Sequence, residues 1–91
     1  MSVTDRTVAA ALPPAVLDEL RAAFVAEVRA RLPHLETGAD VEEARRDAHT
    51  LASSAWVVGE PEIAGLARAV EATYPDGPVS DLLTALRRVV A

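Results

Sequence analysis

The stretch DVEEARRDAHTLASSAWVVG, residues 40–59, decides the fold. Asp40 can cap a helix, and Glu43 follows three residues later, the spacing of a capping box. Val41, Ala44, Ala48, Leu51, Ala55 and Val58 then recur at alternating threes and fours, so they line one side of a helix as a core-facing seam. Gly59 closes the helix, because glycine enters the left-handed conformation at little steric cost. A strand would alternate apolar and polar residues at twos, and no run in the chain sustains that pattern.

The same period governs the flanks. Upstream, Val16, Leu20, Phe24 (with Ala23) and Val28 form an apolar stripe on a helix from near Pro14 to about Leu32, where Pro33 is expected to stop it. Downstream, Glu60 precedes Pro61 at the favoured first position of a helix whose inner face is Ile63, Leu66, Ala67 and Val70. Gly65 sits inside that helix at a cost of about 1 kcal/mol relative to alanine. It either admits a close backbone or is an ordinary surface position. A last helix, from Pro78 or Ser80 to Val90, buries Leu82, Leu83, Leu86 and Val89 or Val90, with Arg87 and Arg88 placed to favour its C-terminal dipole. Before all of these, about Thr4 to Leu12 suits two turns of helix ended by Pro13. The expected fold is all-α: one domain over residues 1–91, an antiparallel up-down-up-down four-helix bundle with a short extra N-terminal helix across one end.

Composition narrows the function. The 91 residues carry nine arginines, no lysine and 14 carboxylates, a formal charge of −5. That balance disfavours a phosphate-backbone binder and adsorption to an anionic membrane, so neither nucleic acid nor membrane is an expected partner. Without cysteine there is no disulfide, thiolate zinc site or thiol nucleophile. The uncharged runs Thr7–Leu17 and Ala48–Gly59 are too short to span a bilayer, which takes roughly 20 apolar residues. A soluble, cytoplasmic protein is expected.

Two histidines are the candidates for chemistry. His34 follows Pro33 in an expected loop with no partner of interest. His49 is different: at 100° per residue the seam centres about 125° away from it, so the imidazole should project into solvent. Arg45 lies four residues before it, Ser53 four after and Trp56 seven after, all on its stripe, and Ala52 lies between that stripe and the core. No second histidine or carboxylate occurs three or four residues from His49, so no metal is expected there. A helical face also offers no assembled oxyanion hole for serine-hydrolase chemistry. What remains is an accessible nucleophilic nitrogen awaiting a partner.

The run Ala48-His49-Thr50-Leu51-Ala52-Ser53-Ser54-Ala55-Trp56-Val57-Val58-Gly59 resembles the signature of histidine-containing phosphotransfer (HPt) domains. His49, Leu51, Ser54, Ala55 and Gly59 fit the pattern, and Pro61 to Glu71 resembles the family's next helix with its closing glutamate. The likeness is specific over about Ala44–Glu71. It implies a four-helix bundle with His49 as the exposed phosphoacceptor. The partner it implies is a response-regulator receiver domain, a hybrid histidine kinase, or both. Two positions depart from the pattern. The family lysine, which helps neutralise the phosphoryl group, is Ala52, and the family glycine, which keeps the approach open, is Ser53. Any compensating cation must be arginine; Arg45 and Arg46 are nearest by helical geometry, with Arg68 on the neighbouring helix a further candidate.

The implied reaction suits the residues. A neutral imidazole attacks the phosphorus of an aspartyl phosphate, and the receiver supplies magnesium and the acidic pocket. No cofactor is expected on this chain. There is no phosphate-binding glycine loop for ATP, so it reads as a phosphocarrier rather than a multiple-turnover enzyme. Trp56 is either covered within the chain, the simpler expectation, or exposed as a docking anchor for the receiver. The competing readings are a degenerate adaptor that binds a receiver or kinase without being phosphorylated, and a structural module. A monomer is favoured.

Overall fold

The computed structural model describes residues 11–91. They form four helices: α1 (Pro14–Glu36), α2 (Val41–Val57), α3 (Pro61–Thr73) and α4 (Val79–Val90). Neighbours around the ring α1–α2–α3–α4 pack against each other with antiparallel contacts, and α4 closes onto α1. The expected leading helix, but for Ala11 and Leu12, lies outside the described residues.

Local chemistry sets the helix ends. Asp40 caps α2, its carboxylate accepting the Glu43 N–H at 3.0 Å, and Pro61 opens α3. At the end of α2 the Glu60 N–H donates to the Ala55 carbonyl and the Gly59 N–H to that of Trp56, with Gly59 at φ +77°. This is a Schellman cap, and it makes the turn into α3 tight. The end of α1 corrects the expectation that Pro33 stops it. Pro33 lies inside the helix, and the chain turns only at Gly38, φ +76°, where the Ala39 N–H donates to the His34 carbonyl. A proline forfeits one helical N–H bond. The extra turn offsets that by burying Leu35, which is 3% exposed.

Leu51, Leu82, Leu86, Val28 and Val70 are the largest fully buried side chains. Each contributes about 1.5–3 kcal/mol relative to exposure. The α2 seam of Ala44, Ala48, Ala52 and Ala55 meets Ala64 and Ala67 of α3, and these two helices share the most extensive contact in the bundle. Small side chains let helix axes come close, and that close pairing sets what stands beside His49. Val16 and Val41, expected in the seams, are 40% and 41% exposed. Both lie in the first turn of a helix, where neighbouring helices do not cover them. Gly65 has nothing within 4 Å of a built Cβ, so it admits no close backbone.

Candidate functional site

His49 projects from the middle of α2 with 67% of its side chain exposed, as its helical angle predicts. Its Nδ1 lies 2.8 Å from Oε2 of Glu71, in the last turn of α3. A carboxylate only accepts, so Nδ1 is the protonated nitrogen. In the neutral ring Nε2 then carries the lone pair. The pair is a carboxylate-oriented imidazole, a chemistry in which Nε2 is the nitrogen able to act as a nucleophile.

The other expected residues divide. Ala52 is 3% exposed and seals the α2–α3 seam beneath the histidine, whereas Ser53 is exposed one turn beyond it. Arg45 donates to the Tyr74 carbonyl at 3.3 Å, at the end of α3. Arg46 reaches back toward Glu42, with 3.8 Å between charged atoms and both side chains well exposed. Trp56 is 39% exposed rather than covered by the described residues. Its ring carries the Arg68 guanidinium, centred 5.4 Å away, a cation–π contact worth about 0.5–1 kcal/mol at an exposed site. Beside this stripe, an apolar groove between α1 and α2 is lined by Leu20, Phe24, Ser53 and Val57.

His34 is not in a loop without partners. Because α1 continues past Pro33, its Nδ1 comes 3.2 Å from Oδ2 of Asp47 and 3.8 Å from Oε1 of Glu43. Asp47 is the buried charged residue of the described chain, 4% exposed, and its Oδ1 accepts from Arg31 at 2.7 Å. The hydrogen bond to Glu27 raises the Arg31 guanidinium above its ordinary range; desolvation opposes this and the bond to Asp47 adds to it.

Sequence reasoning missed Glu71 as the partner of His49, although it marked that glutamate as the close of the next helix. It also missed the Arg31–Asp47–His34 cluster. The usable signal for Glu71 was the shortness of the Gly59–Glu60 turn, which fixes where α3 runs beside α2.

A comparison with protein families matches residues 19–90 to the Hpt domain. The chain belongs to that family. Neither the comparison with curated proteins nor that with solved structures returned a match. Membership of the family implies histidine phosphotransfer in a phosphorelay, with receiver or kinase partners. Among the described residues of this Hpt domain, no helix is long and apolar enough to cross a membrane.

Proposed function

We propose that this Hpt domain is a cytoplasmic phosphocarrier that exchanges a phosphoryl group between receiver aspartates and His49. The observation that carries the reading is the exposed imidazole whose Nδ1 is held 2.8 Å from Glu71. In the transfer the Nε2 lone pair attacks phosphorus as the bond from phosphorus to the aspartyl oxygen breaks. That carboxylate leaves with the electron pair. The ring becomes cationic as the new P–N bond forms, and Glu71 faces the charge. Phosphoryl transfer rests mainly on positioning and charge neutralisation, and the receiver contributes its own magnesium.

With Ala52 in place of the family lysine, compensation for the phosphoryl charge falls to arginine. Arg45 shares the His49 stripe through a single long bond to a carbonyl, which it can leave without stranding a carboxylate. Arg68, three residues from Glu71 on α3, rests on an aromatic face. Arg46 is turned toward the start of α2. Ser53, Trp56 and the groove beside them supply a mixed polar and apolar face for the receiver.

Incubation with phosphorylated receivers from the same organism tests this. Acid-labile, alkali-stable label on the protein, absent from His49→Gln, is the expected result. Receiver binding without label would replace the reading by the adaptor, and neither binding nor label across the full receiver set would overturn both.

A further inference from the structure

We propose that His34, Glu43 and Asp47 form a site for a divalent transition-metal ion, with zinc chemistry, at the corner where α1 ends and α2 begins. The site is separate from the phosphotransfer face and does not depend on that reading. Glu43 and Asp47 are four residues apart on α2, so both carboxylates emerge on one side of the helix. His34 comes from the last turn of α1. The three donor atoms lie within 4.8 Å of one another.

The spacing suits a tetrahedral ion. With ligand bonds of about 2.0–2.1 Å, neighbouring donors on such an ion stand about 3.3 Å apart. The His34–Asp47 separation is 3.2 Å and the His34–Glu43 separation 3.8 Å. Glu43, with 45% of its side chain exposed, has the freedom to close the remaining edge. Once the proton between His34 Nδ1 and Asp47 has moved to Nε2, one imidazole nitrogen and two carboxylate oxygens are a donor set that zinc accepts, leaving a fourth position for water.

The surroundings are already arranged. Arg31 holds the other oxygen of Asp47 at 2.7 Å and is itself held by Glu27 at 2.7 Å. Outer partners of this kind fix the orientation of a ligating carboxylate before the ion arrives. The carboxylates of Glu27, Glu43 and Asp47 gather around the single guanidinium of Arg31, an excess of negative charge that a dication would offset. The bound ion would tie the end of α1 to the start of α2. Asp47 and His49 point to different neighbours, so this clamp would leave the His49 ring free.

Titration of the full chain with zinc alone, read by calorimetry, thermal unfolding and imidazole NMR, tests the proposal. One ion per chain, a raised Tm and movement of the His34 rather than the His49 ring signals are expected. His34→Gln and Glu43→Gln should each weaken binding at least tenfold, whereas His49→Gln and Glu71→Gln should not. Both altered side chains are about half exposed, so these variants keep the fold. Absence of binding at millimolar zinc would overturn the site. Binding unchanged in both His34→Gln and Glu43→Gln, or abolished by His49→Gln, would overturn it equally.

Discussion

Asp47 and His49 stand two residues apart on α2 and serve opposite neighbours. Asp47 is 4% exposed against Arg31 of α1, while His49 turns its ring outward beside Glu71 of α3. One helix thereby holds a buried carboxylate in an ion pair and an accessible imidazole within a single turn.

Glu71 sets the state of the His49 ring. Glu71→Ala should slow phosphoryl acceptance about tenfold, the value of one hydrogen bond of about 1–1.5 kcal/mol. Glu71→Gln, which keeps an acceptor but loses the charge, should fall between. Initial rates of phosphohistidine formation measure the effect. Nitrogen NMR of the imidazole should show Nδ1–H in the wild type and a mixture of tautomers in Glu71→Ala, a change that simple loss of packing would not cause.

Removing Asp47 takes away one of the two carboxylates that Arg31 bonds and leaves it Glu27. Breaking a buried pair costs about 3–5 kcal/mol, but the Arg31 side chain is 27% exposed. About 2 kcal/mol is therefore expected for Asp47→Ala, measured by urea unfolding. The pH dependence follows from the raised Arg31 guanidinium. A raised folded value means the contribution is complete below the ordinary arginine range and is lost only as pH climbs through the folded value. The stability difference between wild type and Arg31→Met should therefore be the same at pH 7 and about pH 9.

Two glycines should respond in opposite directions to alanine. Gly65 lies in α3 with open space around a Cβ, so Gly65→Ala should stabilise by about 0.5–1 kcal/mol and raise Tm without changing phosphotransfer. Gly77 has φ +82°, and a Cβ there would collide with Oγ1 of Thr73. Gly77→Ala should lower stability by about 1–3 kcal/mol in the same unfolding measurement.

Trp56 is exposed, so its replacement separates docking from folding. Trp56→Ala should cost about 1–3 kcal/mol, from the contact with Arg68 and the covered part of the indole, and leave the bundle folded. Receiver affinity should fall about tenfold, as expected for an aromatic anchor at the centre of an interface. Unchanged affinity would remove Trp56 from the docking surface.

Much of this arrangement is legible in the residues themselves. Asp40, Gly59 and Pro61 act on their immediate neighbours, so the bounds of α2 and the start of α3 can be read locally. The exposure of His49 follows from its angle to the alanine seam. Two competing signals sit at the end of α1, Pro33 and Gly38, and reading the proline as dominant shortens the helix by a turn. That hides His34's carboxylate partners, because the residue appears to belong to a loop. Glu71 escapes for another reason: its place beside His49 depends on how α3 is phased against α2, a property of packing rather than of either helix.

The Schellman turn at Gly59 thus works as a gauge between two helices. One residue inserted there would change how α3 sits against α2, moving the Glu71 carboxylate off the imidazole while leaving every side chain in the sequence intact. Turn length, as much as the identities of His49 and Glu71, is a quantity that an engineered or diverged version of this bundle must keep.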